Sequence, residues 1–145
     1  MPSLAYQISP TDFRQRRLLQ ATIAVLAMLP VFAGLCGVVM GPGFLGEKTP
    51  PVDLSSHVRF LSGLFLAFGI GWYSCIPAIE KKTERIRFLA ILTFSGGLAR
   101  LYALAVDGVP SAGHLLGLGM ELVVVPFLVV WHGRVAALSQ RHSTG

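Results

Sequence analysis

The sequence predicts an all-α protein, a transmembrane four-helix bundle, and three observations support that prediction. Hydrophobic residues make up 53% of the 145 residues and charged residues only 13%, and the mean hydropathy is +0.65. About a quarter of the residues in a soluble domain are charged, so this chain has too little polar surface to cover a globule in water. Long apolar stretches alternate with short polar segments. Backbone groups in hydrocarbon must be satisfied within their own segment, which predicts helices and not strands.

Each apolar stretch has the length of one membrane crossing. About 20 helical residues cross ~30 Å of hydrocarbon at a rise of ~1.5 Å per residue. The predicted spans are residues 18–40, 58–79, 88–106 and 115–131. Prolines occur inside or at the ends of three of them. Pro30 and Pro126 are expected to kink their helices, and Pro77 is expected to mark the end of the second.

One domain is expected for a chain of this length. We divide the sequence into an N-terminal segment (1–17), a single transmembrane domain (18–134) and a C-terminal tail (135–145). The first span follows three arginines, as a signal peptide would. Its apolar run, however, is longer than the roughly 7–15 residues of a signal-peptide core. We therefore predict that the first span is a retained helix.

The basic residues predict the orientation in the membrane. Those outside the spans fall almost entirely in the N-terminal segment, in the second connecting segment and after the fourth span: Arg14, Arg16, Arg17, Lys81, Lys82, Arg85, Arg87, Arg134 and Arg141. The opposite side has only Lys48 in its loops. The positive-inside rule therefore predicts that both termini and the 80–87 segment are cytoplasmic. The net charge of +5 does not indicate nucleic-acid binding, because the basic residues are split among short loops and do not form one surface.

The cysteines and histidines do not indicate a metal or a cofactor. Cys36 and Cys75 are predicted near opposite ends of neighbouring antiparallel helices, roughly 20 Å apart along the membrane normal and beyond the ~7 Å Cα limit of a disulfide. Both are expected to be small packing residues. No spacing in the sequence is typical of a zinc, haem or iron–sulfur site.

Three ionisable residues interrupt the apolar stretches, namely Arg59, Arg100 and Glu121. An ionised side chain in hydrocarbon costs several kcal/mol unless it is paired or hydrated, so such residues are candidates for function. Arg100 lies about six residues before the end of the third span, and Glu121 about six residues after the start of the fourth, so each is roughly 9 Å below the outer boundary. We therefore expect them to pair. Arg59 lies at the outer end of the second span beside His57.

Small residues accompany these charges, which predicts that the charges face other helices and not lipid. Gly96, Gly97 and Ala103 share the helix face of Arg100, and Gly117 lies one turn from Glu121. The motifs Gly37-x-x-x-Gly41 and Gly113-x-x-x-Gly117 are typical of close helix packing in membranes.

Two interpretations of these polar residues stay open. Arg100 and Glu121 form either a structural ion pair that sets the register of two helices or part of a binding site. His57 is either a polar residue near a helix start or a ligand-binding residue, while Asp107 and His114 are interpreted as loop residues. As a site, Arg59, Arg100, Glu121 and His57 would bind an anionic group, because arginine forms bidentate bonds to phosphate and carboxylate.

Several runs in the chain resemble those of a known family. These are residues 59–63 (Arg-Phe-Leu-Ser-Gly), 72–80, 96–100 (Gly-Gly-Leu-Ala-Arg), and Glu121 with the Leu-Val-Val-Val-Pro that follows it. They are similar to a family of small bacterial four-helix membrane proteins described only as a domain of unknown function, over about residues 18–134. The resemblance implies a multi-pass protein of the bacterial inner membrane and implies no activity.

Three functional hypotheses follow. The first is a protein that binds an anionic small molecule or lipid headgroup near the periplasmic face. The second is a structural or accessory subunit of a larger membrane protein complex. The third is an enzyme on a lipid-soluble substrate, with Glu121 or His57 as the acid–base group. The expected partners are the lipid bilayer, an anionic ligand and a membrane protein, without nucleic acid and without a cofactor.

Overall fold

A computed structural model describes the backbone of residues 10–141 and the side chains of residues 13–140. The fold is all-α and 88% helical, without a strand in this described part, which confirms the predicted fold class. Four helical stretches are long and apolar enough to cross a membrane. They are Phe13–Leu45, Val52–Tyr73, Thr83–Asp107 and Ala112–Gln140.

The regular elements follow one another with short connections. The α-helices of the described residues are α1 (Pro10–Met40), α2 (Val52–Tyr73), α3 (Thr83–Asp107), α4 (Ala112–Gly119) and α5 (Val125–Arg141). Two 3₁₀ turns, Gly41–Leu45 and Ile79–Lys81, follow α1 and precede α3. A π-helical turn, Met120–Val124, joins α4 to α5, so these three elements form the fourth apolar stretch.

The second helix differs from its predicted bounds at both ends. It begins at Val52, directly after Pro51, whose extended backbone (φ −53°, ψ 146°) forms the N-cap. Regular α-helix ends at Tyr73, and tighter turns continue to Ile76 through hydrogen bonds such as Ile76 N to Tyr73 O (3.1 Å). Because a residue before proline is disfavoured in the α conformation, the chain leaves the helix ahead of Pro77.

Residues 21–77 form one compact unit, in which α1 packs closely against α2. Glycines make this close approach possible. A Cβ on Gly34 would lie 2.5 Å from the backbone nitrogen of Leu66, and one on Gly69 would lie 2.9 Å from that of Val31. Gly37 likewise packs against Ser62. The expected role of Gly37 in helix packing is therefore confirmed.

Residues 10–20 and 78–141 form the other compact unit. Its buried apolar side chains include Leu19, Ile79, Ile86, Leu128 and Val135. Polar contacts lie at the end where α3 begins: Arg16 Nε is 3.2 Å from Glu80 Oε2, and Trp131 Nε1 donates to Gln15 Oε1 at 2.9 Å. The ring of His132 is 2% exposed, and its Nε2 lies 2.9 Å from the carbonyl oxygen of Ile79.

The predicted domain boundaries fall inside helices. Helix α1 runs through residues 17 and 18 without interruption, and α5 runs through residues 134 and 135. The division into one transmembrane domain with two cytoplasmic segments stays a prediction. Helix α1 also continues through Pro30.

Candidate polar site beside the α3–α4 turn

The predicted ion pair between α3 and the fourth apolar stretch is confirmed. Arg100 Nε donates to Glu121 Oε1 at 3.0 Å and lies 3.0 Å from Oε2. The Glu121 side chain is 13% exposed, whereas that of Arg100 is 37% exposed. Glu121 Oε2 is buried and takes no hydrogen bond from any residue that the structure describes. The carboxylate is therefore held inside the unit, and the guanidinium extends from it toward the surface.

Gly97 permits the close approach that this pair needs. A Cβ at this position would lie 2.9 Å from Glu121 Cβ and 2.7 Å from Leu122 Cδ2. A real Cβ does not tolerate contacts this short with packed neighbours, so α3 and the π turn would have to separate. Gly96, by contrast, has open space where its Cβ would be. Of the two neighbouring glycines, Gly97 is therefore the one that helix packing requires.

The π turn presents Glu121 to α3. Val125 N–H bonds the carbonyl oxygen of Met120, five residues back, which is the pattern of a π turn. Pro126 supplies a physical reason, since it has no N–H for the carbonyl of Leu122 and its ring would clash with that carbonyl in an α-helix. The wider turn relieves the clash. The expected irregularity near Pro126 thus takes the form of a π turn that contains Glu121, and a kink there stays a prediction.

A cavity of about 240 Å³ lies beside the pair, where α3 ends and α4 begins. Its lining includes Arg100, Ala103, Leu104, Asp107, His114 and Leu118. Gly108, with φ +98°, also lines it and adopts a backbone conformation that other residues rarely take. The cavity therefore combines a cation, a carboxylate and an imidazole with apolar walls.

Asp107 and His114 were interpreted from the sequence as loop residues, and the structure assigns them a different place. Asp107 is the last residue of α3, two turns after Arg100, and His114 lies in the first turn of α4. Both line the cavity with Arg100. The seven-residue spacing from Arg100 to Asp107, which returns to the same helix face, was the available signal.

Arg59 makes structural contacts at the end of α1. Its Nη1 donates to the backbone oxygens of Val38 and of Val39, the latter at 2.8 Å, and Nε lies 3.4 Å from Ser55 Oγ. The last carbonyls of a helix have no partner within it, and a cation there also interacts favourably with the helix dipole. Arg59 thus caps α1 at the point where Gly41 (φ +59°) turns the chain. This contact favours a structural role for Arg59.

His57 is exposed on α2, in the same unit as Arg59. Arg100 and Glu121 belong to the other unit. The convergence of His57 and Arg59 with Arg100 on one ligand stays a prediction, as does any acid–base role of His57 or Glu121.

The Gly113-x-x-x-Gly117 motif does not line a helix contact within the described chain, since a Cβ at either glycine would meet no atom within 4 Å. That expectation was wrong for contacts inside this chain. Both glycines lie on α4, the short helix that follows the α3–α4 turn. Cys36 and Cys75 are both free thiols, and no group of three metal-ligating side chains occurs among the residues described.

The comparisons with known proteins identify a family and no activity. The model of a family described as a domain of unknown function (DUF4345) matches residues 18–132, which is most of the chain. No curated protein matches the sequence, and no solved structure matches it either.

Proposed function

We propose a function from the geometry of this site, since the chain belongs to the family described as a domain of unknown function (DUF4345), and that description assigns no activity. The proposed function is binding: a multi-pass membrane protein holds the anionic group of a small molecule or lipid headgroup beside Arg100. One observation carries the proposal. Arg100 lines the cavity, while its hydrogen bond to Glu121 uses only Nε.

The chemistry of arginine supports this function. A guanidinium has five N–H donors in a planar fork that matches two oxygens of a phosphate or carboxylate. Nη1 and Nη2 of Arg100 donate no hydrogen bond to any residue that the structure describes. Glu121 fixes the Nε side of the fork, so the Nη groups are positioned for a ligand before it arrives. Such preorganisation lowers the entropic cost of binding.

The location is part of the proposal. The family resemblance supports a protein of the bacterial inner membrane, and the distribution of Lys and Arg supports cytoplasmic termini, with the α3–α4 turn facing the periplasm. The same rule predicts that Arg59 and His57 lie near the periplasmic end of their own helix. A ligand would reach the cavity from the periplasm or from the outer leaflet of that membrane.

Native mass spectrometry of the protein extracted in mild detergent tests the proposal. The wild type is expected to carry a bound lipid or metabolite, and Arg100→Gln is expected to lose it. Loss of a charge-assisted hydrogen bond costs about 1.5–3 kcal/mol, which weakens binding by roughly 10-fold to 100-fold. Helicity by circular dichroism establishes that the variant is folded.

Arg87→Gln is the matched control, because it removes an equal charge from the 80–87 segment, where Arg87 pairs with Glu84 at 3.2 Å. A basic loop attracts anionic lipid without any pocket, and this control measures that effect. Equal loss of ligand from both variants, or full retention by Arg100→Gln, contradicts the proposed function.

The accessory-subunit hypothesis has one specific observation in its favour. Gly113 and Gly117 leave open space on α4, and small residues allow helices of two membrane proteins to approach closely. Co-purification of one defined partner chain in mild detergent would support this second candidate. Recovery of the protein without any other chain would contradict it.

A further inference from the structure

We propose that the ligand of this cavity is zwitterionic: an anionic phosphate group binds Arg100, and a primary ammonium group on the same molecule binds Asp107. The inference rests on the proposed function, which concerns the anionic group alone. The inference adds a positive charge on the ligand and assigns Asp107 as the residue that binds it.

The charges around the cavity do not suit a simple anion. Arg100 is already paired with one carboxylate, that of Glu121, and Asp107 brings a second carboxylate to the lining. A phosphate on Arg100 would therefore share the cavity with the carboxylate of Asp107, which is exposed, and like charges a few ångströms apart repel even where solvent screens them. A ligand that carries its own cation removes this repulsion and gains a favourable contact with Asp107.

The position of Asp107 strengthens the case for a cation. It is the last residue of α3, and the last turn of this helix has no basic residue. The C-terminal end of a helix bears a partial negative charge, so an acidic residue there is unfavourable and a cation is favourable. The carboxylate of Asp107 has no hydrogen bond or ion pair with another residue of the described chain. The carboxylate is thus available to an ammonium group from outside the protein.

His114 completes the polar edge of the cavity. Its Nδ1 lies 3.0 Å from Ser111 Oγ, and this contact orients the ring at the start of α4. Nε2 is then the ring nitrogen available for a phosphate oxygen or a hydroxyl group of the ligand. The residues from α3 and α4 therefore provide for both charges of a zwitterion and for one neutral polar contact.

The size of the cavity suits a small polar group. Its volume of about 240 Å³ is below the roughly 300 Å³ at which pockets for drug-sized ligands begin. A phosphate ester joined to an amine by a two-carbon linker is a ligand of this small class. That chemistry occurs in the headgroup of phosphatidylethanolamine and in free phosphoethanolamine.

The test measures binding to wild type and variants in nanodiscs that contain phosphatidylethanolamine, phosphatidylglycerol or phosphatidylcholine. Wild type is expected to prefer the ethanolamine lipid over the glycerol lipid by about tenfold, which corresponds to one additional charge-assisted contact. Asp107→Asn is expected to abolish this preference, and Arg100→Gln to weaken binding of every lipid. Asp53→Asn is the matched control, because Asp53 is an acidic residue in the first turn of α2, outside the cavity, and this variant is expected to keep the wild-type preference.

A competition experiment distinguishes a free metabolite from a lipid as the ligand. Soluble phosphoethanolamine is added to the nanodiscs, with inorganic phosphate at the same concentration as the comparison.

The outcomes distinguish the two proposals. An unchanged lipid preference in Asp107→Asn, together with lost binding in Arg100→Gln, overturns the zwitterion and leaves the proposed function standing. Unchanged binding in Arg100→Gln overturns both. Equal binding of the quaternary ammonium of phosphatidylcholine and the primary ammonium of phosphatidylethanolamine would also contradict the inference, because only the primary ammonium donates hydrogen bonds to Asp107.

Discussion

Glu121 is the residue on which the geometry of the site depends. Its carboxylate is mostly buried, and Arg100 is its partner among the residues that the structure describes. Burying a charge without a partner costs much more than the pair itself returns. The two residues therefore act as a unit: each is tolerable within an apolar helix because the other is present, whatever else the site binds.

Replacement of Glu121 by Gln is expected to destabilise the fold. The change leaves the cation of Arg100 without its counter-charge, at an estimated cost of about 1–2 kcal/mol, below the ~3–5 kcal/mol of a fully buried pair, because Arg100 is partly exposed. Unfolding by denaturing detergent in mixed micelles measures the change. Glu84→Gln is the control, since the Arg87–Glu84 pair is 61% and 89% exposed and a solvated pair contributes little. Equal effects of the two substitutions would mean that burial does not strengthen the Arg100–Glu121 pair.

Gly97→Ala and Gly96→Ala form a second matched pair on the same helix. The added methyl at Gly97 would lie 2.7 Å from Leu122, and overpacking of this kind costs about 1–3 kcal/mol. At Gly96 the methyl has open space, and alanine favours helix over glycine by up to about 1 kcal/mol. We expect Gly97→Ala to lower the unfolding midpoint and to weaken ligand binding, while Gly96→Ala leaves both unchanged or raises stability. The opposite ranking would show that α3 does not pack on the π turn through Gly97.

The sequence allowed the Arg100–Glu121 pair to be predicted, because helical rise converts residue number into depth. It also indicated that Arg100 lies on a face of small residues, although it did not distinguish Gly97 from Gly96. The seven-residue spacing places Asp107 on the helix face of Arg100, so Asp107 could have been predicted as a neighbour of that residue. His114 could not, since it follows a turn that has no regular period from which side-chain direction can be derived. The Arg16–Glu80 contact was missed as well, because both residues lie where solvated charge is the usual expectation.

At the scale of elements, the unpaired backbone groups at helix ends determine where charged side chains find hydrogen-bond partners. The carbonyls that end α1 have no partner in their own helix, and Arg59 of α2 supplies one. The sequence indicated an arginine near the start of α2 but did not indicate that its side chain would reach the last carbonyls of α1. Likewise, Pro126 predicted an irregular helix, while the π turn that results is a property of the backbone geometry around Leu122 and Val125.

Arg59→Gln is expected to release the end of α1. Loss of the hydrogen bonds to Val38 and Val39 leaves these carbonyls without a charged donor, at a cost of about 1–2 kcal/mol. Amide hydrogen exchange is expected to rise about tenfold in the segment 41–47 that follows α1, and to stay unchanged in α3. Lys48→Gln, which removes a loop cation that has no part in this cap, is the control. If segment 41–47 exchanges at the same rate in the wild type and in Arg59→Gln, the capping role is refuted and the ligand role first predicted for Arg59 is favoured.

For the whole molecule, composition and hydropathy were sufficient to predict the membrane-compatible helices. The apolar stretches are long, and few alternatives satisfy a backbone in hydrocarbon. Helices α1 and α3 begin before their predicted spans and the fourth stretch continues past its span, because hydropathy does not report the polar turns that prolong an apolar helix. Helix α2 instead begins six residues early and ends at Tyr73, six residues before its predicted end. Hydropathy does not predict which side of the membrane each loop lies on, because that depends on which basic loops the insertion machinery retains in the cytoplasm.

Cysteine labelling tests the predicted orientation. In a Cys36→Ala, Cys75→Ala background, a single cysteine replaces either Lys48 or Lys81, both of which are exposed in short connecting segments. If both termini are cytoplasmic, the positive-inside rule requires that Lys48→Cys react with a membrane-impermeant maleimide in intact bacterial cells, and that Lys81→Cys react only after the cells are lysed. Equal labelling of both cysteines after lysis provides the control for accessibility. The reverse pattern in intact cells would place the α3–α4 turn, and with it the cavity beside Arg100, on the cytoplasmic face, and the ligand would then have to come from the cytoplasm or the inner leaflet.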